Sequence, residues 1–520
     1  MTGTWLLLRL VLRRDRLLMP LWIAGLAVAP MGYLSSIEAA YPDAASRQHF
    51  YDLNASSATF VVRNGPLYGS SAGNLLAWQC GFVPVVVGLI ALLTVIRHTR
   101  TEEEAGRREL TGATVVGRHA GLAAAVLATC GAVLVFGLLV GLGVAAQGVP
   151  AAGAFALGLG FSLTGWVFAG VGAVAAQLTW GAGGARGIGI GVLVLAFLLR
   201  AAGDSSGSAG WLTWLSPIGW THRLRPFAGE QWWILVLGVF ATGLLVVLAV
   251  ALSARRDLGA ALLPARLGRA TAKASLRSPL ALAWRLQRGT LLVWTVCLAL
   301  VGLLMGGVAQ NVAGMVRDNK AVADVLARMG GGGAVMDAYL AGTMTLFGLA
   351  AAGYAVQATL KLRAEEAAGR AEPVLATAVG RLGWALAHLV FALLGSAFVL
   401  AITGWATGLA YGSGASLVPA ALAQLPAVWV LAGLAAALIG FAPRFAAAAW
   451  GLLGAFLLLS LVGSALQWNE TVLGISPFQH LPRLPGGTFS VTPVAWLVAI
   501  AVVAGIGGLT ALRRRDMPVG

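Results

Sequence analysis

Apolar runs interrupted by polar ones divide the chain into two sets of six. The first set covers approximately residues 18–38, 76–96, 120–146, 152–178, 187–199 with a broken continuation, and 232–253. The second covers 290–310, 342–360, 383–410, 418–441, 446–466 and 493–512. Most of these runs approach or exceed the roughly 20 residues that carry a helix across about 30 Å of hydrocarbon. Lipid offers backbone groups no partner, so each run predicts a helix. The expected fold is an all-α polytopic membrane protein of 12 spans, with a first repeat over 1–258, a cytoplasmic linker over 259–279 and a second repeat over 280–520.

Composition narrows the picture. The chain is 59% hydrophobic and only 10% charged, too little polar surface for a water-soluble domain of 520 residues. Its 70 glycines would weaken soluble helices but suit close packing between transmembrane ones. A formal charge of +16 invites a nucleic-acid partner, yet the basic residues are scattered between apolar runs and form no basic domain. Cys80, Cys130 and Cys297 each lie in an apolar run without metal-ligand or redox spacing, and read as small hydrophobes. Arg13, Arg14 and Arg16 followed by Leu17–Ala29 imitate a secretory signal. Pro30 stands at the would-be cleavage point, however, and a similar basic-then-apolar entry recurs at Arg285–Val301.

Charge also sets an expected topology. With the N-terminus in the cytoplasm, 26 of the 35 Lys and Arg residues and 10 of the 19 acids fall on the inner side, so the whole excess of positive charge lies there. The positive-inside rule then predicts a multi-pass plasma-membrane protein with both termini cytoplasmic. Within the spans as drawn, no Asp, Glu, Lys or Arg occurs except at their ends, such as Glu38. Ion-coupled transporters carry buried ionisable groups as relays or ligands, so this pattern points to an energy source outside the spans.

The most informative signal is a duplication. Arg100-Thr101-Glu102-Glu103-Glu104-Ala105-Gly106-Arg107-Arg108-Glu109 aligns with Arg363-Ala364-Glu365-Glu366-Ala367-Ala368-Gly369-Arg370-Ala371-Glu372. Without a gap, Val116-Gly117-Arg118 then falls on Val379-Gly380-Arg381. Ser216-Pro217 recurs as Ser476-Pro477, and Arg255-Arg256-Asp257 as Arg514-Arg515-Asp516. Six crossings separate the copies, which predicts parallel repeats about an axis along the membrane normal, with a central pathway between them. In each loop a Glu precedes an Arg by four positions, Glu103 with Arg107 and Glu366 with Arg370, the favourable order for a helical ion pair. One such loop reads as a solvated charge run; two matching copies favour a docking element for a twofold-symmetric cytoplasmic partner. The only lysines, Lys273, Lys320 and Lys361, lie in no GxxxxGK[ST] motif, so nucleotide chemistry would have to come from another chain.

These residues resemble the ABC-2 type permeases of actinobacteria, exporters of polyketide antibiotics that include the tetronasin-type permeases. The resemblance covers the full chain and rests on the duplicated Arg-x-Glu-Glu-x-Ala-Gly-Arg loop, on Leu215–Trp220, on Arg255–Gly259 and on Ser476–Gly486. It implies a partner ABC ATPase in two copies that binds ATP and Mg, with no cofactor in this chain. It further implies that loops 97–118 and 361–381 are ATPase-coupling elements, through Arg100, Glu102, Glu103, Gly106, Arg107 and Arg118, and through Arg363, Glu365, Glu366, Gly369, Arg370 and Arg381. Amphipathic connecting helices are expected near Trp5–Arg16 and Leu280–Arg288. The first loop keeps Glu104 and Arg108 where the second has Ala367, Ala371 and Pro373, so the first is expected to dock more strongly.

On the outer side, segment 200–231 holds Trp211, Trp214 and Trp220, with Trp232 and Trp233 directly after it, and segment 467–492 holds Trp468, Phe478 and Phe489. They read as broken, half-entering helices. Interfacial anchoring accounts for such tryptophans, and an extracellular gate at Pro217, Trp220, Pro477 and Phe478 is the functional alternative. His222 and His480 lack companions at ligand spacing and suit ordinary polar roles. The polar stretches 39–75 and 311–341, the latter with Gly330–Gly333, read as outer loops or short helices; Asp318, Asp324 and Asp337 are too dispersed for a metal or catalytic site. No catalytic residue and no metal ligand is expected. The expected function is the membrane subunit of an ATP-driven exporter that moves hydrophobic or amphiphilic compounds (drug, polyketide antibiotic or lipid) by alternating access. A secondary multidrug transporter is the first alternative, although its usual Gly-x-x-x-Asp-Arg loop is replaced here by Glu-Glu before Gly-Arg. A membrane enzyme or a non-transporting scaffold is the other.

Overall fold

The computed structural model describes the chain except residues 1, 56–57, 109–114, 206–208, 257–261, 263–270, 272–275, 319–331, 414–416, 461–468 and 517–520. Glu109, Ala113, Asp257, Asp324, Gly330 and Trp468, and most of the expected linker 259–279, therefore lie outside the described residues. The chain divides into two compact units, Met1–Gly268 and Arg269–Gly520.

In the first unit, helices α1 (Thr4–Arg14) and α2 (Leu18–Ala40) are followed by the short α3 (Ala44–Asn54), α4 (Ala58–Asn64) and α5 (Ala72–Gln79). Then come α6 (Val83–His98), α7 (Arg100–Glu104), α8 (Ala120–Ala145), α9 (Ala151–Leu178), α10 (Ala182–Ser205), α11 (Pro217–Arg223) and α12 (Trp233–Ala254). The second unit holds α13 (Pro279–Asp318), α14 (Gly332–Ala367), α15 (Ala371–Leu375), α16 (Arg381–Tyr411), α17 (Val418–Leu422), α18 (Leu425–Phe441), α19 (Ala448–Leu458), α20 (Glu470–Leu473) and α21 (Val491–Arg514). No strand occurs among the described residues. Among the described residues eleven helical segments are long and apolar enough to cross a membrane, with α6 and α7 together (Val83–Glu104) and α17 and α18 together (Val418–Phe441) each counted as one, and Ala448–Leu458 is a shorter apolar helix whose expected continuation to 466 reaches undescribed residues.

Both units have the same neighbours. The first span packs on the third, the second on the fourth, and the fourth on the sixth. Small residues make these contacts possible: a Cβ on Gly158 of α9 would come within 2.0 Å of the Gly137 carbonyl of α8, so the two backbones touch directly. By contrast, α12 exposes Val236, Phe240, Leu244 and Val247 along one face. Spacings of three and four residues align them on one side of the helix, the signature of a surface in contact with lipid rather than water.

Four expected boundaries move. The second run, expected as one helix over 76–96, breaks at Cys80–Phe82; Pro84, at the start of α6, lacks the N–H that a continuing helix would need. The fifth, expected to break after 199, continues unbroken to Ser205 and brings Arg200 and Asp204 with it, both side chains buried. The absence of charge inside the spans is thereby corrected. At 24 residues, or about 36 Å, α10 is longer than the hydrocarbon thickness, so the pair occupies its final turns. The third correction concerns Leu280–Arg288, expected as a separate connecting helix but in fact the first turns of α13. Its counterpart α1 is a separate helix, ending at a cap on the buried Asp15. Finally, the run over 418–441 divides into α17 and α18 at Ala423–Gln424.

Candidate functional site

The duplicated loop has the same local construction in each unit. After α7 the chain reverses at Gly106, whose φ of +69° is matched by +69° at Gly369. A Cβ at either position would meet nothing within 4 Å, so the requirement is conformational: the left-handed region that glycine enters without strain. This reversal corrects the expected ion-pair register. Arg107 lies beyond the turn, not on the same helix face as Glu103, and its Nε and Nη2 instead donate to both oxygens of Glu102 at 2.7 and 2.8 Å. In the second unit Arg370 does the same to Glu365, at 2.7 and 3.0 Å. The guanidinium side chains remain about half exposed, 49% for Arg107 and 58% for Arg370.

Freed from that pairing, the second Glu of each copy turns inward. Glu103, with a side chain only 4% exposed, accepts a bidentate pair from Arg256 at 2.7 and 2.8 Å and has Arg100 and Arg108 at 3.1 and 3.6 Å. Glu366, 2% exposed, accepts from Arg515 Nη2 at 2.7 and 2.8 Å, with Arg363 at 3.1 Å. Arg256 and Arg515 follow the last span of their respective units. A second fastening runs the opposite way. Arg118 donates to the carbonyls of Ser253 and Arg256 at 2.9 and 2.6 Å, and Arg381 to those of Arg513 and Arg515 at 3.2 and 2.7 Å. Each thereby satisfies carbonyls that a helix C-terminus leaves unpaired and places positive charge at the negative end of its dipole. The repeated loop is thus clamped twice to the last helix of its own unit.

The first loop carries attachments that the second lacks. Glu104 accepts from the backbone N–H of Ala182 at 2.9 Å, supporting the start of α10, and its counterpart is Ala367. Arg14 pairs with Glu102 at 2.5 Å. Asp15 receives Arg97 at 3.0 Å and His98 at 2.6 Å, holding α1 to the end of α6. Arg100 is buried and donates to the carbonyl of Trp180. Sequence reading did not assign Arg256, Arg515, Asp15 or His98 to this site. The repeated Arg-Arg-Asp motif was the available signal for the first two; their partner lay in the other repeated motif.

At the opposite end of the first unit, Trp220 Nε1 donates to the Trp214 carbonyl at 2.6 Å, and the Pro217 carbonyl accepts from Thr164 at 3.4 Å. Ser216 caps α11, whereas its counterpart Ser476 precedes a single 3-10 turn, Pro477–His480, in which Pro477 and Phe478 are buried in the second unit's core. Burial, reinforced by the Arg200 charge, draws the His222 imidazole down to about 3, so it is neutral at physiological pH. Among the described residues no group of His, Cys, Asp and Glu is arranged to hold a metal ion.

Span-length apolar helices, lipid-type faces and loops fastened at one end define a multi-pass helical membrane protein. A multidrug efflux system permease protein of Mycobacterium tuberculosis (strain ATCC 25618 / H37Rv), Rv1217c, is 44% identical over 526 residues, which span 99% of this chain and 95% of the relative. The family profile for the C-terminal domain of that permease matches residues 276–513. The chain belongs to the Rv1217c family of multidrug efflux permeases.

Proposed function

We propose that this chain is the membrane subunit of an ATP-driven ABC exporter that moves hydrophobic or amphiphilic compounds out of the cell, with ATP and Mg bound by a separate cytoplasmic ATPase present in two copies. The observation that carries the reading is the loop built twice to one pattern, each copy exposing one arginine (Arg107, Arg370) on a backbone clamped to the last span of its unit. Two equivalent rigid projections suit a partner with two equivalent sockets. The ABC-2 resemblance and the full-length similarity to a drug-efflux permease support the same reading, and none of the chain's lysines lies in a GxxxxGK[ST] motif. The exposed loops are cytoplasmic in this proposal, as are both termini. The test is reconstitution in liposomes with candidate ABC ATPases: ATP-dependent export of a fluorescent amphiphile that requires both chains is expected, and export without any ATPase would overturn the reading.

The buried Arg200–Asp204 pair supports a second reading, an ion-coupled multidrug transporter, because charges within a span are characteristic of proton relays. Its position in the final turns of α10, with Arg200 also donating to the carbonyls of Val61 and Arg63, suits a structural tie at the helix end. The same liposomes distinguish the two: an imposed proton gradient without ATP drives export only under the second reading.

A further inference from the structure

Helix α1 lies across the repeated loop of the first unit and is fastened to both of its ends. Ahead of α1, the Thr2 carbonyl accepts from the Gly117 N–H at 2.9 Å, and a Cβ added to Gly3 would come within 3.1 Å of Val116. These contacts hold the last residues of the loop. Beyond the other end of α1, Arg14 pairs with Glu102, and the buried Asp15 meets Arg97 and His98, which holds the loop's first residues. Leu8 and Val11 turn inward against the core of the unit, and the helix packs on α8. A bar pinned in this way keeps the two ends of the loop at a fixed separation. In the second unit Leu280–Arg288 instead runs directly on into α13.

The outward side of α1 is both apolar and basic. Trp5 is 62% exposed, Leu6 67% and Leu10 55%. They lead to Leu17, Leu18 and Leu21, also exposed, where the first span begins. The helix therefore sits at the depth where hydrocarbon gives way to headgroups, a level that tryptophan favours. Three exposed arginines, Arg9, Arg13 and Arg16, stand among these side chains. Arg9 and Arg13 are one turn apart and share a face, with the Arg9 guanidinium 5.3 Å from the Trp5 ring. Unlike Arg14 and Arg97, none of the three makes an ion pair among the described residues. Unmatched cations beside exposed apolar side chains complement a headgroup layer that carries phosphate charge. The exposed leucines that open α2 make lipid, rather than protein, the neighbour of this surface.

We propose that α1 is a binding surface for anionic phospholipid, and that this contact steadies the first repeated loop. Arg9, Arg13 and Arg16 meet the headgroup phosphates, while Trp5, Leu6 and Leu10 enter the upper acyl region. The second loop has no separate helix laid across it in this manner, so lipid charge acts on the two loops unequally. The contact requires only this chain and a bilayer, so it stands or falls separately from the exporter reading.

The experiment is amide hydrogen exchange on the full chain, in nanodiscs of phosphatidylcholine alone and of phosphatidylcholine with phosphatidylglycerol. Phosphatidylglycerol is expected to slow exchange about tenfold over residues 2–17 and over the loop ends, 97–104 and 115–118. High salt is expected to remove the difference. Arg9→Gln/Arg13→Gln/Arg16→Gln is expected to exchange like the natural chain in phosphatidylcholine and to show no response to phosphatidylglycerol. Arg285→Gln/Arg288→Gln, which removes two cations from the first turns of α13, is expected to keep the response; a thermal melt of each variant confirms that it is folded. Exchange indifferent to lipid charge in the natural chain would overturn the proposal and leave the face to a protein. A phosphatidylglycerol effect that survives in the triple variant or in high salt, or that is lost equally in the α13 variant, would overturn it too. Protection confined to residues 2–17 would overturn the steadying of the loop.

Discussion

Glu103 and Glu366 decide what the repeated loops can do, because their carboxylates are spent inside the protein. Replacing Glu103 by Gln leaves the guanidinium groups of Arg100, Arg108 and Arg256 together with no formal counter-charge from that side chain. Breaking a buried pair in this way costs about 3–5 kcal/mol. A markedly lower melting temperature is expected for Glu103→Gln in detergent, with partial recovery in Glu103→Gln/Arg256→Met; an unchanged melt for the single variant would contradict the clamp. Gly106 makes a smaller, separable contribution. Gly106→Ala forces an L-residue to φ +69° at a cost of about 1 kcal/mol, while Asn, which tolerates that region, is expected to cost less in the same melt. The sequence exposed the repeated glycine but misplaced the ion pair. Helical i,i+4 spacing presumes an uninterrupted helix, and the glycine itself ends that helix. Which Glu points inward depended on an arginine more than a hundred residues away, information that local spacing does not contain.

Among the helices, α10 is the instructive case. Span limits were legible wherever hydropathy changed at a helix end, as in α8 and α9, because the same residues set both the apolar run and the helix. They failed where a charge lay within a helix: the apolar run stops before Arg200, but the backbone has no reason to stop, and Asp204 one turn later supplies a counter-charge. The expected consequence is asymmetric. Arg200→Met strands a buried carboxylate and should cost about 3 kcal/mol or more, whereas Arg200→Met/Asp204→Leu removes both charges and should recover most of that loss. Chemical denaturation in mixed micelles measures both; equal destabilisation by the single and double variants would remove the ion pair as the cause. The connecting helix that the resemblance implied near Leu280–Arg288 is instead continuous with α13, since Gly289 between Arg288 and the apolar run weakens a helix without ending it.

Across the whole molecule, charge distribution predicts that both repeated loops and the C-terminus share the cytoplasmic side. Single cysteines placed at Arg107, Arg370 and Arg513 in a cysteine-free background should all resist a membrane-impermeant thiol reagent added outside intact cells, and all react once the membrane is opened. Labelling of one loop from outside would break the parallel-repeat topology. The duplicated motifs retain their order along the chain, one set in each compact unit. The physical content of the repeat was not legible in the sequence, since it consists of contacts between motifs, Glu103 to Arg256 and Glu366 to Arg515.

Those contacts close within single units, and this bears on how the protein could have arisen and diverged. A duplicated gene segment would have carried both partners of the clamp together, so each copy arrived with its loop already braced. Later substitutions around one clamp could then be compensated by its own few neighbours, leaving the other copy's fastening untouched. The difference between Glu104 and Arg108 in the first copy and Ala367 and Ala371 in the second, with both clamps intact, is the kind of divergence that such local independence permits.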